Sequence, residues 1–208
     1  MSRFHTITIK CPYCQSDFEF RKWDSVNAAI DKAAKERILS GQFFVCTCSH
    51  CHKAHRIATP CLYHDPQQKL MIYLLPDGGS DKLEEINAIA KQFDADYRFR
   101  IVTNEDRLIE KIYIFDEQLN DRVIEMYKLL YQIFVQEENP NKEITDAYFN
   151  IGQEEKSLAF TTENKDLLLV PFDEKIYQKV AEANQSIITD SQLAFTLIDD
   201  HWARTHWN

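Results

Sequence analysis

Phe4, Thr6 and Thr8 alternate with His5, Ile7 and Ile9, a period of two that predicts a β-strand over residues 4–10 with Cys11 at its end. Phe18 and Phe20 resume the alternation after Cys14, so a second strand leaves that turn. Between residues 24 and 41 the period changes. Val26, Ile30, Ala33, Ala34 and Ile38 fall at helical spacing, Asp24 or Ser25 can cap the start, and Gly41 can close the end in the left-handed conformation. Phe43 to Thr47 returns to a strand. The stretch from Leu62 to Leu75 reads as a strand pair broken at Asp65-Pro66, and residues 76–81 are a loop by composition.

A helix is predicted from about Lys82 to Phe93, and a strand around Phe99 and Ile101. Thr103 with Asp106 resembles a capping box opening a helix that carries Leu108, Ile112 and Phe115 on one face. Asn120 can cap a long helix with Val123, Ile124, Tyr127, Leu130, Tyr131 and Phe134 as a broad apolar stripe. Residues 137–142 are polar and hold a proline, which makes them the best boundary. Beyond them come strand patterns at Ala147–Gly152, Ser157–Thr162 and Leu167–Pro171, a helix from Asp173 to about Asn184, a strand near Leu193–Ile198 and a terminal helix. On that last helix Trp202 and His206 share a face and are expected to dock it on the core, with a partner contact as the alternative. The expectation is an α+β protein with a first domain over 1–138 and a small α+β domain over 143–208.

Composition changes this picture little. The chain has 208 residues, 44% of them hydrophobic and 12% aromatic, enough for one or two packed cores. No N-terminal segment joins basic residues to an apolar run, and the longest purely apolar stretch, Leu70 to Leu75, is far too short to cross a bilayer. A cytoplasmic protein is expected, with no membrane partner. Charge is uneven: residues up to Cys61 carry a net +4 and the remainder −13 of the total −9. A nucleic-acid footprint needs a denser basic cluster than this, so a protein partner or self-association is the expected use of the surface.

Candidate chemistry rests on cysteine. Cys11-Pro12-Tyr13-Cys14 and Cys48-Ser49-His50-Cys51 stand 33 residues apart, the pattern of a tetrahedral zinc site. In a reducing compartment, six cysteines in this arrangement point to metal ligands more than to disulfides. With Cys11, Cys14, Cys48 and Cys51 all bound, no coordination position is left for water or substrate, so the Zn2+ would be structural. The expected architecture is a zinc ribbon whose knuckles are separated by a helical insertion. Cys46 and Cys61 read as small buried residues, although Cys46 and the histidines at 50, 52 and 55 leave the ligand choice open. His52 and His55 are expected to face solvent or to hydrogen-bond on the outgoing strand.

Two other readings come from different classes. Cys-Pro-Tyr-Cys is also a thiol-disulfide oxidoreductase motif, but such a motif needs a helix N-terminus behind it to lower the thiol pKa, and the residues after Cys14 alternate as a strand. A nucleic-acid-binding zinc ribbon is the third. Glu110, Asp121 and Glu125 lie among Lys111, Arg122 and Lys128, expected to be a solvated or interface ion-pair network. No Gly-rich phosphate loop, HExxH or GxSxG is present.

Several of these motifs together resemble the CpXC domain family. They are the CPxC pair at Cys11–Cys14, the second CxxC at Cys48–Cys51, Leu62-Tyr63-His64-Asp65-Pro66 before an apolar strand ending at Pro76, residues 108–112 (Leu-Ile-Glu-Lys-Ile) and residues 119–125 (Leu-Asn-Asp-Arg-Val-Ile-Glu). They span roughly residues 4–135. Ser49 stands where the family's second pair usually has proline, which removes no ligand. The resemblance implies a metal-binding domain and leaves the activity open. The combined expectation is a zinc-binding, non-catalytic interaction or regulatory module.

Overall fold

The computed structural model describes residues 2–76, 78, 83–152, 155–189 and 193–207. In chain order its elements are β1 (Arg3–Lys10), β2 (Asp17–Asn27), α1 (Lys32–Leu39), a 3-10 turn (Gln42–Phe44), β3 (Val45–Thr47), β4 (Ala54–Arg56), β5 (Cys61–Asp65), β6 (Leu70–Leu74), α2 (Leu83–Ala90), β7 (Arg98–Val102), α3 (Glu105–Asp116), α4 (Asp121–Glu138), β8 (Ile144–Ile151), β9 (Lys156–Thr162), β10 (Leu167–Pro171), α5 (Glu174–Ala183), β11 (Thr196–Leu197) and α6 (Asp200–His206). Helices and strands mix throughout, an α+β arrangement. None of the helices among the described residues is long and apolar enough to cross a membrane.

The chain forms two compact units, Met1–Ile109 with Gln192–Thr196, and Glu110–Ser191 with Leu197–Asn208. Residues 137–142 fall inside the second unit, at the end of α4 and in the connection from it to β8.

In the first unit a six-stranded sheet runs β1-β2-β5-β6-β7-β11. β1 and β2 form an antiparallel hairpin, but β2 and β5 pair in parallel, which requires a crossover. That crossover holds α1 and a second, separate hairpin, β3 with β4. Parallel β6 and β7 are joined through α2, whose Ile86 and Ala90 pack with Met71, Phe99 and Phe195. Part of the 76–81 loop lies outside the described residues.

The helix expected from Asp24 or Ser25 starts later. Asp31 is its cap, its Oδ1 accepting from Ala34 N at 3.0 Å, and residues 23–27 remain extended in β2. Tertiary pairing decides this: Ser25, Val26 and Asn27 align with Leu62, Tyr63 and His64 of β5, and Val26 is fully buried there. Ile30, which the helical spacing placed on the apolar face, is 70% exposed. Gly41, at φ 71°, does close the segment, in a conformation costly for any residue with a Cβ. Phe43 and Phe44 sit in the 3-10 turn, so β3 begins only at Val45.

The second unit packs α4, α5 and α6 with the antiparallel sheet β10-β9-β8. Val123, Ile124, Tyr127, Phe149, Leu158, Phe160, Tyr177 and Ala203 make its core. Asn120 caps α4 by accepting from Arg122 N at 2.9 Å, as the sequence foretells, and its own N–H donates to Tyr177 Oη at 2.9 Å. The cap of α3 is Asn104 rather than Thr103: Asn104 Oδ1 accepts from Arg107 N at 2.9 Å. The stripe of α4 is shorter than its pattern, because Phe134 is 50% exposed. On α6, Trp202 is partly buried against the core while His206 is exposed and stacks on it.

The charged residues of this unit overturn the expectation of a solvated network. Glu110, Lys111, Asp121, Glu125 and Lys128 are all buried. Lys111 Nζ contacts Glu125 at 3.0 Å and Asp121 at 3.2 Å, and Lys128 Nζ contacts both Glu110 and Glu125 at 2.8 Å. Glu110 also accepts from Phe149 N at 2.7 Å. Helical spacing alone reads such charges as surface. Here α3 and α4 turn them toward each other, and mutual pairing makes their burial tolerable.

Candidate metal centre

Cys11 and Cys14 occupy the turn between β1 and β2, and Cys48 and Cys51 the turn between β3 and β4. The two turns share one backbone design. In the first, Gln15 N donates to Cys11 O at 2.9 Å and Cys11 N to Ser16 O at 3.0 Å. In the second, His52 N donates to Cys48 O at 3.0 Å and Cys48 N to Lys53 O at 3.1 Å. Each turn reverses through a residue of positive φ, Gln15 at 61° and His52 at 56°. The β2-to-β5 crossover returns the second hairpin to the first.

The four sulfurs consequently gather within 4.8 Å of one another. Two short pairs run between the turns, Cys11 with Cys51 at 3.6 Å and Cys14 with Cys48 at 3.8 Å. Four sulfurs bound tetrahedrally at about 2.3 Å from a central ion would stand about 3.8 Å apart, whereas a disulfide bond is about 2.05 Å. These two edges match an ion-centred tetrahedron, and no disulfide links any of the six cysteines. The donor set and the spacing both fit a metal ion.

Cys11 and Cys48 are fully buried, Cys51 is partly buried and Cys14 is exposed. Ser16 bonds Cys14 through both its backbone and its side chain and holds that thiol down at about 6. Lys53's amide pulls the Cys51 thiol down, but burial and the sulfurs of Cys11, Cys14 and Cys48 outweigh it and push the group up to about 11. His50 N lies 3.4 Å from Cys48 Sγ. A cluster in which one thiol is held low and its neighbour is forced up resists carrying several negative charges unless a cation offsets them.

Cys46 is only partly buried, contrary to expectation, on a strand edge beside the cluster. Cys61 is buried in β5, and burial, with Asp24 adding to it, raises its thiol to about 12. His52 is exposed, as expected of a solvent-facing residue, and so is His50. His55 is different. It faces inward from β4, opposite Cys46, with 8% of its surface exposed and its Nε2 3.3 Å from Cys11 Sγ. Phe18 stacks on its ring at 5.8 Å between centroids, and Tyr13 lies at 5.1 Å. Strand alternation at Ala54-His55-Arg56, exposed-buried-exposed, turns it inward, over a strand too short for its sequence to show the period.

No curated protein and no solved structure matches the chain. The model of the family described as CpXC protein matches residues 9–128, a span that takes in both cysteine turns and ends at Lys128 of the buried ion network. With more than half of its length matched, this chain belongs to the CpXC protein family.

Proposed function

We propose that Cys11, Cys14, Cys48 and Cys51 hold one structural Zn2+ that joins the two hairpins as a zinc ribbon, and that the protein works as a non-catalytic interaction or regulatory module. The observation that carries this is the pair of cross-turn sulfur distances, 3.6 and 3.8 Å, in a set that supplies four thiolates and leaves no open ligand position. When bound, the ion supplies a crosslink between the two hairpins, beside the apolar contact that Phe18, Ile9 and Cys46 add around the sulfurs. Purification under reducing conditions followed by elemental analysis tests it. One zinc per chain is expected, and a clearly substoichiometric content overturns it.

A second reading, thiol-disulfide exchange, is favoured by the exposed, low-pKa thiol of Cys14. Against it, β2 follows the Cys-Pro-Tyr-Cys turn in place of a helix, and each cysteine of that turn has a sulfur of the other turn within 3.8 Å. Thiol reactivity in the metal-replete protein separates the two readings.

For partners, the surface favours protein over polyanion. The chain's net charge is −9, and Arg56, one of the basic residues of the first segment, is paired with Glu105 and Asp106 at the start of α3. A cytoplasmic location accords with six unpaired cysteines.

A further inference from the structure

Each of the four sulfurs has a hydrogen-bonding neighbour outside the cluster. For Cys14, Cys48 and Cys51 that neighbour includes the residue two further along its own turn: Ser16, His50 and Lys53, bonding through the backbone. Cys11 has a side chain, His55, reaching in from the other hairpin with Nε2 at 3.3 Å. Phe18 and Tyr13 both pack on its ring, and Lys53 Nζ sits 4.4 Å from the centroid of Tyr13.

We infer that His55 is the positioning residue of the metal centre, donating its Nε2–H to the Cys11 thiolate and so completing a set of four N–H donors, one per sulfur. The inference rests on the zinc reading of the four cysteines and says what that site requires beyond its ligands. Four thiolates on a divalent ion leave a formal charge of −2 in a partly buried site. Three of the sulfurs shed part of that charge into backbone dipoles that come with the turn. Cys11 is fully buried, and the imidazole lies against it for the purpose. Both the neutral ring protonated on Nε2 and the imidazolium present a donor there, so the contact does not depend on the charge of the ring. Because His55 lies on β4 and Cys11 follows β1, the bond also ties the two hairpins together and fixes the orientation of one ligand from outside the coordination sphere.

His55→Phe keeps an aromatic ring against Phe18 and Tyr13 and removes the donor, whereas His55→Gln offers an amide N–H at a similar reach. In protein loaded with zinc, release to an excess of chelator should be about 10- to 100-fold faster for His55→Phe than for wild type, with His55→Gln in between. In cobalt-loaded protein the sulfur-to-metal charge-transfer band should move to longer wavelength in His55→Phe, since a sulfur that loses an N–H donor holds its lone pair less tightly. In wild-type protein loaded with cadmium-113, the His55 Hε2 proton should couple to the metal through the sulfur. If His55→Phe does not fold, this last measurement decides, and a missing coupling overturns the inference. Wild-type release kinetics and an unshifted band in a one-metal His55→Phe protein overturn it as well, while leaving the zinc reading intact. A wild-type chain that takes up no zinc, cobalt or cadmium sinks the zinc reading and this inference with it.

Discussion

Gln15 and His52 are structural equivalents: each follows the second cysteine of its turn, each has φ near 60°, and each donates its N–H to the carbonyl of the first cysteine of its pair. A residue with a Cβ spends about 1 to 2 kcal/mol in that conformation, and glycine relieves most of it. His52→Gly should therefore raise the stability of the metal-loaded protein by up to about 1 kcal/mol after the added flexibility of the unfolded chain is subtracted. His52→Val should lower it, because a β-branched side chain suits that region least. Guanidinium unfolding midpoints with unchanged slopes would check both signs.

Cys48→Ser should abolish stoichiometric zinc and loosen the two hairpins, while Cys46→Ser and Cys61→Ser keep one zinc per chain. Structural zinc in small modules contributes about 10 to 16 kcal/mol of apparent binding free energy, comparable with or larger than the ~5 to 15 kcal/mol stability of a whole domain. Elemental analysis of the three variants, with limited proteolysis of the hairpin segment, reads the outcome. Loss of zinc in Cys46→Ser with retention in Cys48→Ser would move the site off these ligands.

Alkylation should follow metal occupancy. In the loaded protein Cys11, Cys14, Cys48 and Cys51 react slowly, and after chelation Cys14 is modified first because it alone of the four is exposed. Cys61, with its thiol raised to about 12, stays unmodified at neutral pH in both states of the folded protein. Mass mapping of the labelled peptides over time resolves the order. A rapidly labelled Cys11 or Cys14 in the loaded protein would promote thiol exchange over a structural site.

Lys111→Met would leave Asp121 and Glu125 with less cationic compensation in a buried site, and should cost about 3 to 5 kcal/mol. Burial by itself would lower the Lys111 ammonium, but Glu125, Asp121 and Glu110 outweigh it and hold the group above its ordinary range. A raised folded-state value means that Lys111 stabilises the fold fully below about pH 10.4, its value in the unfolded chain, and that this contribution fades as pH climbs through the folded value. Wild-type thermal stability should accordingly hold through neutral pH and fall in the alkaline range, with Lys111→Met showing less of that alkaline decline.

Nucleic-acid affinity should be weak at physiological salt, and reversing Arg21, Lys22 or Arg56 should change it little. Arg56 already faces two carboxylates, and Arg21 lies over the Phe4 ring at 4.5 Å. Fluorescence anisotropy with labelled DNA and RNA measures this. Tight binding that these reversals weaken would make the first unit a nucleic-acid reader.

Local signals carried the sequence reading furthest where one element settles the matter by itself. The CxxC spacings, the β1 alternation, the Asn120 cap and the strand and helix order after residue 143 are all visible in short windows. What stayed hidden depends on partners distant in the chain. Val26 looks helical until Tyr63 is known to lie beside it, and the charges of α3 and α4 look solvated until the two helices are brought face to face. His55 carried a two-residue alternation too short to stand out in a strand of three. The closeness of the four sulfurs follows from spacing, but the side chain that completes their surroundings comes from the register of a hairpin that spacing does not encode.

The crossover between β2 and β5 sets an order on folding. Parallel pairing of Ser25–Asn27 with Leu62–His64 requires the chain between them to close as one long loop, and the second cysteine hairpin lies inside that loop. A metal ion that clips Cys11 and Cys14 to Cys48 and Cys51 beforehand divides the search into shorter closures, each less costly in chain entropy. Refolding of the first unit should thus be rate-limited by ion capture when metal is scarce, and its rate should rise with the concentration of added ion.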